Sequence, residues 1–276
     1  MSRILVVGDV IDDIGVRPLT AVTPSSDTRS EIRMSAGGSA ANVAAWLGHL
    51  GADVVFVGRA GADGVERHTA ALNRSGVEAI IAGDPELPTA TLVLTLDPAG
   101  ERTMYVDRAA NSRISMDDVP EHAWSEVDWL HLTGYTFFDP STRQFALALV
   151  EESARRGVGL SVDPSTVSFL REVGPARFLD WTRSAELLFP NADEADLLGL
   201  DDDPRAVVTL GAGGVRVAGE VQAAHPAVVL DSTGAGDAFC AGYLAARARG
   251  PHVAVGSGLA AAAACVCVRG ARPDPP

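Results

Sequence analysis

The chain has no lysine. All 22 of its basic residues are arginines, set against 36 acidic residues, for a formal net charge of −14 over 276 residues. Without lysine there is no Schiff-base chemistry and no P-loop lysine, and any cationic contact to a phosphate must come from a guanidinium. The acidic balance excludes generic binding to nucleic acid or to an anionic membrane surface. A polyanionic substrate must then be received by local donors and a metal, against the overall field. Cysteine is scarce, with only Cys240, Cys265 and Cys267. The Cys-x-Cys pair lies in an alanine-rich helical run with no second pair to complete a zinc site, so core packing is expected. No run reaches the roughly 18 apolar residues of a membrane span. The opening apolar run is too short for a signal-peptide core. A reduced, cytoplasmic protein is expected.

What is present suits a folded domain, with 47 % hydrophobic and 21 % charged residues. Strand-like and helix-like segments alternate, which indicates an α/β fold with a mainly parallel sheet. The β-branched run Ile4 to Val7 reads as a strand buried on both faces. Asp9, Asp12 and Asp13 follow its C-terminal end, where open α/β sheets bind ligands, and one of them is expected to hold hydroxyls of a polyol. Residues 15–35 read as polar and irregular. Gly37-Gly38-Ser39-Ala40-Ala41-Asn42 opens a helix that Ser39 can cap and Gly51 ends. Paired glycines let a ligand approach the backbone, and Asn42 offers both a donor and an acceptor.

Residues 89–96 and 101–106 alternate around the turn Asp97-Pro98-Ala99-Gly100. They form an antiparallel hairpin, joined by residues 15–36 into a small sheet outside the main one. Its open face needs cover from a substrate or a second subunit. From Val127 the βα alternation resumes. It passes an Asn191-x-x-Glu194 helix start, a Thr209-x-Gly211 turn with Gly214 beyond it, and an apolar run over 227–230 that reads as a buried strand end. An alanine-rich helix follows over 255–268. Residues 272–276 read as a disordered tail.

The whole is organised around Asp231-Ser232-Thr233-Gly234-Ala235-Gly236-Asp237, which leads into a helical pattern. A helix start offers unpaired N–H groups and the positive end of the helix dipole. Gly234, Ala235 and Gly236 leave room for a phosphate to reach those groups. A carboxylate at that point would repel the anion unless it takes a proton from an attacking hydroxyl. The segment therefore reads as an anion cradle with a general base, or more plainly as a small-residue turn whose Asp caps the helix. It has neither a P-loop Lys-Ser/Thr nor a three-glycine dinucleotide fingerprint.

Taken together, these junctions resemble the ribokinase-like carbohydrate kinases, the phosphofructokinase B (pfkB) family. Gly37 to Asn42 is similar to its N-terminal signature, Asp231 to Asp237 to its C-terminal signature, and Asn191-x-x-Glu194 to its metal-associated motif. The likeness runs from Ile4 to about Gly270. It implies a three-layer α/β fold, with a large domain of residues 1–14, 37–88 and 107–276 under a β lid of residues 15–36 and 89–106. It implies transfer of the γ-phosphate of ATP to a hydroxyl of a fructose-like or 2-keto-3-deoxygluconate-like sugar. A nucleoside kinase of the same fold (adenosine-, ribose- or pseudouridine-type) and a non-catalytic sugar or nucleotide sensor are the alternatives. In the kinase reading Asp237 is the base and Gly234, Ala235 and Gly236 form the anion hole. Asp12, Gly37, Gly38 and Asn42 hold the acceptor. Asn191, Thr209, Gly211, Gly214, Gly234 and Gly236 meet the nucleotide. Asn191 and Glu194 arrange Mg²⁺ through water, and Asp231 and Thr233 mark where some members bind a monovalent cation such as K⁺. A homodimer through the lid is the expected assembly. The connection over 201–205 is shorter than the family's usual helical one.

Overall fold

A computed structural model describes residues 2–96 and 102–273 of the chain. The turn expected at Asp97–Gly100 and the last three residues of the tail lie outside the described residues. The elements run β1 (Arg3–Val7), β2 (Ile11–Pro18), β3 (Ser30–Gly37), α1 (Ser39–His49), β4 (Asp53–Gly61), α2 (Val65–Arg74), β5 (Glu78–Asp84), β6 (Ala90–Leu96), β7 (Arg102–Asp107), β8 (Val127–Thr133), α3 (Tyr135–Phe138), α4 (Pro140–Arg156), β9 (Gly159–Asp163), α5 (Val167–Val173), α6 (Pro175–Trp181), β10 (Leu187–Leu188), α7 (Ala192–Leu198), β11 (Val207–Thr209), β12 (Val215–Val217), β13 (Glu220–Gln222), α8 (Ala235–Ala246) and α9 (Pro251–Val266).

Side-chain alternation along β1 sets the layering. Ile4 and Val6 face one side and Leu5 and Val7 the other, and all four are buried. Ile4 and Val6 join a core built with α1, α8 and α9. Leu5 and Val7 join a second core that contains Phe137, Phe145, Leu149 and Phe178. β4 repeats the pattern, with Val54 and Phe56 in the first core and Val55 and Val57 in the second. Between the two cores lies a six-stranded sheet of order β10-β9-β8-β1-β4-β5, parallel throughout. Bridges from Leu188 to Ala206 and from Asn191 to Thr209 carry its edge on to β11. The alanine-rich α9 packs closely on α8, where a Cβ at Gly242 would lie 2.5 Å from the Ser257 carbonyl oxygen. Among the described residues no helix is long and apolar enough to cross a membrane.

A second, four-stranded sheet has the order β3-β2-β6-β7. The expected hairpin is its β6–β7 pair, which is antiparallel. β2 pairs parallel to β6 and antiparallel to β3. Residues read as irregular, 15–18 and 30–35, are therefore strand. Their polar composition hid the pairing: β3 pairs with the neighbouring β2, and only β6, far along the chain, joins the two to the hairpin. The opposite correction holds for the apolar run before the key turn. Val228, Val229 and Leu230 are 77 %, 64 % and 62 % exposed and form no strand. The backbone N–H groups of Leu230 and Asp231 donate instead to the carbonyl of Val266 at the end of α9. The tail also departs from expectation, since Arg272 is ordered against α1 and Pro273 is buried.

Candidate active site

The parallel strands deliver their C-terminal ends to one edge of the sheet, and acids cluster there. Asp9, just past β1, accepts hydrogen bonds from the backbone N–H groups of Ser39 (3.0 Å) and Ala40 (3.1 Å). A carboxylate from the turn after β1 thus caps α1, and Gly38, not Ser39, is the N-cap residue. Gly38 has φ +96°, and a Cβ there would lie 2.5 Å from the Asp9 carbonyl oxygen, so glycine is required. The Ser39 hydroxyl is left to donate to Asp237 Oδ1 at 2.7 Å. One turn on, Asn42 Nδ2 donates to Asp237 Oδ2 at 2.9 Å.

Asp237 lies in the first turn of α8 and does not cap it; Gly234, in the left-handed region at φ +77°, is the N-cap. Burial pushes the Asp237 carboxyl up to about 7, against the lowering effect of the Asn42 and Ser39 hydrogen bonds and with added repulsion from Asp9 and Asp13. A carboxyl poised near neutrality in a cleft suits proton transfer.

Strand alternation separates two neighbouring acids. Asp12 is turned to α2, where it pairs with Arg67 and with His68 Nε2 at 3.0 Å. Asp13 is turned towards Asp237. A Cβ on Gly37 would fall 2.1 Å from its Oδ2, which explains that glycine. Burial raises the Asp13 carboxyl to about 6, with Arg272 opposing and Asp9 and Asp12 reinforcing the rise.

Asp237 forms one wall of a cleft of about 240 Å³, together with Ser39, Ser232, Gly234, Ala235 and Gly236. Tyr135, Asp163, Asn191, Glu194 and Thr209 stand on its other sides. Asn191 and Glu194 form a reciprocal capping box on α7: each side chain accepts the other's backbone N–H at 2.9 Å. Glu194 is buried, and burial raises its pKa. Burial also holds the Asp163 carboxyl well above the usual range, with the charges of Glu194 and Asp237 adding to the rise. Asp231 Oδ1 accepts from both the backbone N–H (3.0 Å) and the hydroxyl (2.7 Å) of Thr233, which fixes the turn before α8.

The structure thus brings together Asn42, Asn191, Glu194, Thr209, Gly234, Ala235, Gly236 and Asp237. Asp12, Gly211 and Gly214 are not on the cleft wall. A Cβ at Gly214 would lie 2.0 Å from the Gln222 carbonyl oxygen, so that glycine serves the approach of β13. Sequence reasoning did not single out Asp163, Tyr135 or Arg272. For Asp163 a signal existed, an Asp-Pro at the end of a parallel strand.

Comparison with known proteins gives this geometry its chemistry. A fructokinase with bound ATP from Xylella fastidiosa superposes with a TM-score of 0.82, covering 98 % of this chain and 93 % of that one at 22 % identity. The three-layer architecture is accordingly the ribokinase-like kinase fold. The family description "pfkB family carbohydrate kinase" matches residues 1–276, and the chain belongs to that family. An ATP-dependent ribose-1-phosphate kinase from Halopiger xanaduensis is 32 % identical, over 89 % of this chain and 84 % of the relative. A fructokinase from Klebsiella pneumoniae is 31 % identical, over 90 % and 85 %. The protein is an ATP-dependent kinase of a sugar or nucleoside.

Proposed function

We propose that this kinase phosphorylates a hydroxyl of a fructose-like or related sugar acceptor, with Asp237 as general base. The observation that carries the reading is the placement of the Asp237 carboxylate. It faces the same cleft as the N-terminus of its own helix, and two donors hold it in place. As the acceptor oxygen bonds to the γ-phosphorus, the hydroxyl proton passes to Asp237 and the bond to the ADP oxygen breaks. The N–H groups at Gly234, Ala235 and Gly236 receive the charge on the transferring group. A Cβ at Gly236 would meet nothing within 4 Å, so packing does not demand that glycine, and the room beside it suits a phosphate.

The acceptor's other hydroxyls would be held by Asp13 and Asn42, with Gly37 and Gly38 shaping the floor. Asp12 would then act by fixing α2 beneath β2. Thr209 and Asn191 would line the nucleotide side. The sheet β3-β2-β6-β7 would be the lid, excluding water as a competing acceptor.

The donor set fits magnesium. Asp163 and Glu194 face the cleft, each with its charge disfavoured by burial, and a divalent cation would relieve both. Among the described residues no group of three or more acidic, His or Cys side chains forms a ready cage. That suits an ion which keeps its waters and is shared with nucleotide phosphates. Bound there, magnesium would neutralise phosphate charge, while Asn191 orients Glu194 through the capping box. A monovalent cation would sit by the Asp231–Thr233 turn, and exchanging potassium for a bulky ammonium would then lower kcat. We assign the reaction to the cytoplasm, in keeping with three unbridged cysteines.

The decisive experiment is an ADP-release screen of ketoses, pentoses, sugar phosphates, sugar acids and nucleosides, run beside Asp237→Asn. Turnover with a sugar that D237N abolishes, while sugar binding survives, supports the reading. Preference for a nucleoside would replace the acceptor class. Wild-type turnover in D237N would remove the base.

A further inference from the structure

The segment after α9 is built into the site. The Trp46 indole N–H donates to the Ala271 carbonyl at 2.9 Å, and the Gly270 N–H donates to Asp231 Oδ2 at 3.1 Å. Ala271 lies so close to the key turn that a Cβ on Gly234 would come within 2.6 Å of the Ala271 Cβ. These contacts deliver Arg272 to the start of α1. Its Nε donates to Asn42 Oδ1 at 3.1 Å, and its Nη2 donates to the Gly37 carbonyl at 2.7 Å.

Asn42 is therefore gripped at both ends. Its amide has one end that accepts and one that donates. Arg272 holds the accepting end and Asp237 the donating end, so a single amide orientation satisfies both. A neutral Asn that bridges a guanidinium and a carboxylate passes the orientation of one to the other through charge-assisted bonds. Arg272 remains cationic throughout the neutral range, since burial lowers its pKa only to about 10 while the carboxylates of Asp13, Asp9 and Asp237 oppose the drop.

We propose that Arg272 is a positioning residue for phosphoryl transfer: it locks the Asn42 amide so that Nδ2 holds the Asp237 carboxylate in one orientation towards the acceptor. The C-terminal segment is then a working part of the catalytic centre. The inference rests on Asp237 being the base.

The test is a double-mutant cycle of Arg272→Gln and Asn42→Ala, with Arg272→Lys as the conservative variant and Asp237→Asn as a separate control. A misplaced base lowers kcat, so R272Q should lose on the order of 10- to 100-fold in kcat with KM for ATP nearly unchanged. Lysine should restore part of the loss, because it keeps the charge and one donor. In the N42A background R272Q should cost less than about threefold, since the route to the base is already cut. Equal losses in both backgrounds, or a lowered melting temperature with wild-type kcat, would overturn the proposal. Should R272Q fail to fold, R272K decides through the same cycle: loss of kcat that vanishes in N42A supports the role, and an unchanged or additive effect refutes it. If D237N kills turnover while R272Q and R272K match the wild type, this inference alone fails. If D237N turns over normally, the base reading fails first.

Discussion

A carboxyl raised to about 7 is a base only when it has lost its proton. The acid limb of kcat/KM for the acceptor is accordingly expected near pH 7, measured from pH 5 to 9. Asp13, raised to about 6, should add a fall in kcat/KM for the acceptor at lower pH. The same shift bears on stability. Asp237 binds its proton more tightly in the folded than in the unfolded chain, so the ionised form opposes folding above pH 7. That opposition fades as pH falls from about 7 towards the ordinary 3.8. A neutral amide removes it. D237N should therefore lose roughly 10²–10⁴-fold in turnover while its melting temperature at pH 8 holds or rises. At this scale much of the candidate site was legible in the sequence. The small-residue turn, its acid and Asn42 are local patterns with a local physical meaning. Asp13 was not separated from Asp12, because only the pairing of β2 tells which of two adjacent acids turns towards Asp237. Arg272 was missed because its partners, Asn42 and Gly37, are more than 200 residues away.

Among the elements, the turn into α8 contains two glycines that serve different ends. Gly234 combines φ +77° with a close approach to Ala271, whereas Gly236 has open space around it. Gly234→Ala should destabilise the protein by about 1–3 kcal/mol in a denaturant melt. Gly236→Ala should leave the melt unchanged and lower kcat by crowding the phosphate. The opposite pattern would mean that Gly236 is structural. On α7, Asn191→Ala removes one half of the capping box, at a cost of about 1 kcal/mol. It should leave the magnesium concentration needed for half-maximal rate nearly unchanged, because the Glu194 carboxylate is held by the backbone N–H of residue 191, which alanine keeps. The central strands and the helices packed on them followed from periodicity. The run at 228–230 did not, since apolar content marks a strand only where a neighbouring strand offers its backbone, and here the end of α9 takes that place.

At the level of the whole molecule, the second sheet carries apolar residues in water. Register places Met34, Ile14, Val93 and Tyr105 in one row, with Ile32 on the same face. Ile32, Met34 and Tyr105 are 62 %, 72 % and 60 % exposed. We expect two chains to cover these faces mutually, giving twice the chain mass by light scattering at micromolar concentration. Met34→Glu should shift that mass towards one chain, and a single-chain mass for the unaltered protein would rule the assembly out. The three layers were legible because βα alternation survives any change of partner. The expectation of a second chain came from one alternating hairpin with an open face, and the mass measurement tests it.

The grip of Arg272 on Asn42, and of Asn42 on Asp237, ties together residues separated by 230 and 195 positions. Synthesis proceeds from the other end. A growing polypeptide can fold its first strands and helix early, yet the constellation stays open until residue 272 has left the ribosome. Products that stop between residues 237 and 272 should therefore fail to drain ATP in the cell.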